Sequence, residues 1–449
     1  MPGLASRTLG RIVKWVAWPF VILLFASVAF VSINVAEQKP ISPLDEYVYL
    51  DYLSKVPTQG FVRNGEETGD VARHEISCRG VAIYGLYGTG CDTSSTSPDS
   101  TFPYEGHTGA SIYTPAYFAV TWVLAQPFVW AGMGLLDAGR LVGVVWLSLG
   151  TCLTYVLLRR LRAPAPIALG LVLATIATPA IYWATAYIST DAPTLAVSAG
   201  LGLVALAVAR GRAHWAWFAA ASAVAVLFKV QNIAAVGVCA LALTVSALVS
   251  FWPQRGTPHP VREVTGSLIR SPLVRAGIIA GVAAVGAQIV WLVIRARAAL
   301  PVADDVQIDS TQLPLSVSAL VTESFKFLGA VGGAGIAPGA IGTLVITLLS
   351  LLSVGAIVAI LFRPRPNQNA ETIIAGSTLV VAVLLGPALI LGTGLVAGYY
   401  VPLTERYGLA LLPAFLACIG FLFSGRSRAF GSVVAGLGAA LAAWAIISS

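Results

Sequence analysis

The chain alternates long apolar runs with short polar interruptions, and that rhythm sets the expected fold class. Apolar runs lie at roughly 16–35, 116–136, 141–158, 166–188, 192–209, 214–228, 233–251, 276–294, 340–362, 372–395, 407–423 and 430–447. Many approach the length, about 20 residues, that a helix needs to cross the hydrocarbon core of a bilayer. Water is absent there, so the backbone must satisfy its own polar groups, which predicts helices. One interruption breaks the rhythm: from Ala36 to about Tyr113 the chain is dense in Asp, Glu, Gly, Ser, Thr and Pro, and nothing in it could span. The pattern predicts an all-α, polytopic membrane helix bundle. Residues 1–35 form a first crossing, 36–140 an extracytoplasmic loop domain with interfacial helices, and 141–294 the first half of the bundle. An outer segment, 295–339, and a C-terminal part of the bundle, 340–449, complete it, with no visible internal repeat.

Composition agrees, since 57% of residues are apolar and 10% charged, against about 25% charged in an average soluble domain. The net charge of +7 reflects basic residues retained on the cytoplasmic side, so nucleic-acid binding is not implied. Arg7, Arg11 and Lys14 precede a first run longer than a signal-peptide core and without a clear small-residue cleavage site, which puts the amino terminus inside. Further clusters follow at Arg159, Arg160 and Arg162; Arg210 and Arg212; Arg255, Arg262, Arg270 and Arg275; Arg363 and Arg365; and Arg426 and Arg428. All share the inner side if 116–136, interrupted by Gln126-Pro127, lies in the interface or dips in and returns. Eleven crossings then place 16 Lys and Arg inside, five in the later outer segments and six in the outer region before residue 141. A rival topology keeps all twelve runs and must export Arg7, Arg11 and Lys14.

The outer ends of this arrangement collect the 36–115 loop, Ser189-Thr190-Asp191, Lys229 with Gln231 and Asn232, the 295–335 segment, and Tyr399 through Arg406. Polar groups at membrane depth are costly and tend to be functional, so one outward-facing active site is expected. In SPLDEYVYLDYLSKV, residues 42–56, Tyr47, Leu50, Leu53 and Val56 recur at helical spacing, predicting an amphipathic interfacial helix. Asp45 or Glu46 in its first turn could act as a base toward an acceptor hydroxyl; alternatively, Ser42 and Asp45 form a capping box. Asp191 either faces the same cavity or caps the helix beginning near Pro193. Lys229 either snorkels from a helix end or meets a phosphate. Arg406 either pairs with Glu405 or aims a bidentate guanidinium at a phosphate.

Cys152, Cys239 and Cys418 lie in apolar runs, where Cys behaves as a small hydrophobe. Cys78 and Cys91 lie in the outer loop and most simply form a disulfide. A zinc site from His74, Cys78, Cys91 and His107 is the alternative, though the order matches no common spacing. HEISC at 74–78 lacks the second His of a metalloprotease motif. The phosphate-binding loop of nucleotide triphosphatases, the nucleophile elbow and the dinucleotide-binding pattern are absent too, so energy must come from the substrate itself. No motif fixes a cofactor or the ligands of a divalent cation.

Several strings together resemble the GT-C superfamily of membrane glycosyltransferases, which includes protein mannosyltransferases, aminoarabinose transferases and actinobacterial integral-membrane proteins. They are PLDEYVYLDYL, IYTPAYFAVTWVLAQPF, AGRLVGVVWLSLGTCLTYVLLRRLRAP, STDAP, VLFKVQN and ERYGLALLP, in an order that agrees with the derived sidedness. The resemblance implies an inverting hexosyl or pentosyl transferase. It would move a sugar from a polyprenyl-phosphate donor to a glycan, lipid or protein acceptor at the outer face of the cell membrane. By that likeness Asp45, or Glu46, resembles the residue that orients or deprotonates the acceptor, and Asp191 the second acidic position. Arg406 and Lys229 resemble the groups that receive the departing lipid phosphate, where cations supply what a general acid otherwise would. Relatives often carry a His or second acid further along the first outer helix, where this chain has Tyr49 to Asp51. Two other classes stay open: a transporter or flippase of a lipid-linked or small anionic substrate, and a catalytically inert scaffold that binds lipid-linked glycan.

Overall fold

The computed structural model describes residues 3–81, 88–93, 96–251, 270–301, 312–329, 339–362 and 369–448. Arg255, Arg262, Arg363 and Arg365 of the basic clusters, and much of the 295–339 segment, lie outside them. The described chain is helical, with isolated β-bridges only. In order come α1 (Gly3–Ala36), α2 (Glu46–Gln59), α3 (Asp70–Arg79), α4 (Pro115–Trp130), α5 (Leu135–Leu141), α6 (Gly143–Arg160), α7 (Ala165–Ile176), α8 (Pro179–Thr185) and α9 (Thr194–Ala209). There follow α10 (Trp215–Phe228), α11 (Ile233–Phe251), α12 (Pro272–Arg297), α13 (Val317–Ser324), α14 (Gly339–Phe362), α15 (Asn369–Ala397), α16 (Leu412–Leu422) and α17 (Arg428–Ser448).

Among the described residues eight helical stretches are long and apolar enough to cross a membrane, and nine if α7 and α8, bent by 67°, count as one. These are the helices of a multi-pass membrane protein. The expected total of eleven is reached only by adding α9 and α10, which at 16 and 14 residues are short for a crossing. The 116–136 run behaves differently. The Tyr117 hydroxyl, near its start, meets the Ser189 amide at 3.1 Å, and Gly139, just past its end, packs on neighbouring Ile188. A chain that leaves and returns to one loop is a hairpin, turning at Gly132 with φ 94°.

Two ends of the bundle emerge. At the arginine end, the Arg210 guanidinium donates to the Arg160 carbonyl at 2.9 Å, joining the ends of α6 and α9. At the opposite, loop end, Lys39 reaches Tyr182 in the middle of α8 (3.3 Å), and Trp291 of α12 donates to the Ile112 carbonyl (3.3 Å). A second apolar core covers this end: Tyr49, Tyr52 and Leu53 of α2 pack on Tyr117 and Phe118 of α4, with Tyr52 stacked on Phe118 at 4.0 Å. Cys78 and Cys91 form a disulfide that ties the end of α3 to the following turn, and the zinc alternative thereby loses both thiolates. Arg79 grips Asp137 with two hydrogen bonds, 2.9 and 2.7 Å, fastening α3 to α5.

Candidate functional site

Four interruptions of helix meet at the loop end, and each presents one charged side chain. The first is the entry to α2. Asp45 holds the left-handed backbone conformation, φ 66° and ψ 7°, and makes no side-chain cap. Short polar residues tolerate that conformation better than others, at a cost of roughly 1–2 kcal/mol. The capping box drawn from the sequence does not form. The Ser42 hydroxyl takes the Leu44 amide (3.1 Å), and the Ser42 amide instead donates to Glu46 Oε2 (2.8 Å), leaving the Asp45 carboxylate unused by the backbone amides of its own helix.

The second interruption is the loop between α8 and α9. Two of its amides are held from outside, Ile188 by Glu46 Oε1 at 2.9 Å and Ser189 by Tyr117, and a third from within, Asp191 by Ser189 Oγ at 3.1 Å. Asp191 does not cap α9 with its side chain. The third is the break after α10, where Lys229 is extended and the Asn232 side chain bonds the Ala225 carbonyl (2.9 Å). The fourth is the 3-10 turn Glu405–Leu411, carrying Arg406.

The side chains converge. Arg406 Nη2 donates to Asp45 Oδ2 at 2.8 Å, and its Nε stands 3.7 Å from Asp191 Oδ2. Lys229 Nζ lies 2.5 Å from Asp191 Oδ1. Both cations face the Tyr407 ring, at 5.2 and 5.8 Å from its centroid. Glu405 is exposed and is not an ion-pair partner of Arg406 among the described residues. Two carboxylates and two cations therefore share one partly enclosed space. Within it Asp45 is the open member: its side chain is 28% exposed, against 8% for Arg406, 5% for Asp191 and 3% for Lys229. Arg406 Nε is buried with no hydrogen-bond partner among the described residues, a spare donor of the kind a bound ligand satisfies.

Glu46 does not belong to this group, which corrects its reading as a catalytic alternative to Asp45. Its carboxylate is fully buried and accepts from Arg140 Nε and Nη2, both at 2.8 Å, besides the Ser42 and Ile188 amides. Arg140 also donates to the Lys39 and Pro40 carbonyls, each at 2.9 Å, and lies over the Tyr187 ring at 4.9 Å. The pair knots together the α1–α2 linker, α5 and the Asp191 loop, leaving the carboxylate no capacity for chemistry. Asp51 is occupied likewise, by Lys55 (2.9 Å) and the Gly69 amide (2.7 Å).

Sequence reasoning named Tyr49 only as a departure from a pattern, yet its hydroxyl stands 3.4 Å from Asp45 Oδ2 and 3.1 Å from the Tyr113 hydroxyl, and accepts from Thr190 Oγ1 at 3.3 Å. Burial, reinforced by the nearby Asp45 charge, pushes the Tyr49 phenol well above the ordinary tyrosine range, and burial does the same to Tyr113. Both stay protonated and serve as neutral hydrogen-bonding groups. The i, i+4 spacing of Asp45 and Tyr49 on α2 is the one sequence signal that could have found the pairing.

An apolar hollow of about 170 Å³ opens among α6, α9, α11, α15 and α16, lined by Leu157, Gly202, Cys239, Ile374, Ala410 and Pro413 among others. Ala410 lies four residues beyond Arg406 in the same 3-10 turn, and the lining continues from there to Leu161 and Ala209 at the arginine end. Among the described residues no group of acids, histidines and cysteines is placed to hold a metal ion. Comparison with family models, with curated proteins and with solved structures gives no match for this chain.

Proposed function

We propose that this protein is a GT-C-type membrane glycosyltransferase that moves a sugar from a polyprenyl-phosphate carrier to an acceptor hydroxyl at the outer face of the cell membrane. The observation that carries the reading is the meeting of Asp45, Asp191, Lys229 and Arg406 in one partly enclosed space, with an apolar hollow further along the same bundle. A lipid-linked sugar phosphate needs these elements together: cations for the phosphate, a carboxylate for the acceptor, and an apolar berth for the chain.

In the proposed reaction Asp45 accepts the proton of the acceptor hydroxyl, whose oxygen bonds the anomeric carbon as the bond from that carbon to the phosphate oxygen breaks. Polyprenyl phosphate leaves with the bonding pair, and the anomeric centre inverts. Arg406 and Lys229 stabilise the charge that develops on the leaving group, while Asp191 holds both cations in place. The amino terminus is cytoplasmic in this reading and residues 36–115 extracytoplasmic, in keeping with the basic clusters and with the Cys78–Cys91 disulfide.

One observation favours a transporter instead, the 67° break between α7 and α8, since transporters use broken helices at their sites. The charged group, however, lies at one end of the bundle rather than at its middle. Purified protein presented with a panel of polyprenyl-phosphate sugars distinguishes the two. The glycosyltransferase reading expects the donor to be consumed, and Asp45→Ala, at normal protein level, to abolish consumption. A donor carried across vesicles unchanged would sink it.

A further inference from the structure

Every cation that could receive a phosphate in this site is already engaged by an acid of the site. Arg406 gives Nη2 to Asp45 at 2.8 Å, and Lys229 is held by Asp191 at 2.5 Å. The four formal charges cancel, so the site at rest presents little net field to an approaching anion. The spare donor, Arg406 Nε, is buried and faces Asp191 Oδ2 at 3.7 Å, beyond hydrogen-bonding distance. Asp45 is the most exposed of the four, so the guanidinium lies behind it. Its backbone is held in the left-handed region, a conformation that persists only where surrounding contacts impose it.

We infer that Asp45 is a latch on the anion site: the phosphodiester of a lipid-linked sugar reaches Arg406 only by displacing the Asp45 carboxylate, and that displacement frees the carboxylate for the acceptor. This rests on the glycosyltransferase reading and adds an order to it. The donor phosphate binds first and takes over Arg406 Nη2 and Nε. The released carboxylate stays beside the Tyr49 hydroxyl, 3.4 Å away at rest, and the acceptor hydroxyl enters second. While no donor is seated, the base is neutralised by Arg406.

The test is binding, measured by calorimetric titration of the full chain in detergent with polyprenyl monophosphate, the leaving group that keeps the donor's phosphate and lipid, and, separately, with inorganic phosphate. Asp45→Asn removes the competing charge while keeping a side chain suited to the left-handed backbone. It is expected to bind polyprenyl monophosphate about tenfold more tightly than wild type, the scale of one charge-assisted hydrogen bond no longer in competition. Arg406→Gln is expected to lose binding. Asp45→Gly, equally compatible with the backbone, repeats the test if the first variant fails to fold. A gain confined to the lipid phosphate supports the latch with the chain as part of the ligand; a gain for inorganic phosphate as well supports it with the head group alone. Equal or weaker binding by the Asp45 variants, with wild type binding, overturns the latch and leaves the glycosyltransferase reading standing. No binding by any variant overturns both.

Discussion

Asp45 and Glu46 are adjacent in sequence, identical in charge and opposite in use. Glu46 points into the protein and is saturated by Arg140 and two amides, whereas Asp45 points at Arg406 and the opening. Removing one partner of a buried pair strands the other charge, at a cost of about 3–5 kcal/mol. Glu46→Gln is therefore expected to lower stability by that order, seen as a lower thermal midpoint in detergent and poor yield. Asp45→Asn is expected to cost about 1 kcal/mol or less, because the pair is partly exposed, Asp191 remains near Arg406, and Asn accepts the left-handed backbone. If both variants unfold alike, the separation of a structural from a chemical carboxylate is wrong. Periodicity could place both acids in one helical turn, but it could not tell them apart. That depended on Arg140, which comes from a distant element and which the sequence marks only as a lone charge before an apolar run.

Most element boundaries followed from the apolar rhythm because membrane helices must be long and apolar. The exceptions have physical causes. The run 116–136 packs one side on α2 and α5 at the loop end and leaves Val123 and Trp130 exposed, a pattern that composition cannot distinguish from a full crossing. The run 166–188 breaks where Thr178 caps α8 and Pro179 starts it, removing a backbone donor the helix would need. Helices α7 and α17 approach closely at their glycines. A Cβ on Gly438 would collide with the Gly170 carbonyl oxygen, and one on Gly170 with the Val434 carbonyl oxygen, whereas around Gly436 there is open space. Gly438→Ala is accordingly expected to cost about 1–3 kcal/mol as the helices are forced apart, with Gly436→Ala near neutral; thermal unfolding of the two variants side by side checks this. Equal effects would mean that helix propensity, not contact, controls this crossing.

At the scale of the molecule, the charged group and the arginine clusters among the described residues occupy opposite ends, and the direction of each helix preserves that separation. Helix α6 leaves the loop end and finishes at Arg159 and Arg160; α9 leaves Asp191 and finishes beside them, the two ends joined by Arg210. Helix α10 then returns the chain to Lys229. This antiparallel traffic was legible from the spacing of basic residues alone. The convergence of Asp45, Asp191, Lys229 and Arg406 on one another was only a wager, since sequence distance says nothing about which helix ends are neighbours. If basic residues mark the cytoplasmic side, the site must open outward. A thiol introduced at exposed Glu67, in the loop layer, is expected to react with a membrane-impermeant maleimide in intact cells. One at exposed Arg212 is expected to react only after permeabilisation. The native free thiols Cys152, Cys239 and Cys418 are half-buried or buried, so wild type gives the background. The reverse pattern would put the carboxylates on the cytoplasmic side. An acceptor at the outer face could then not reach Asp45, and the proposed chemistry would have to be rebuilt around a cytoplasmic substrate.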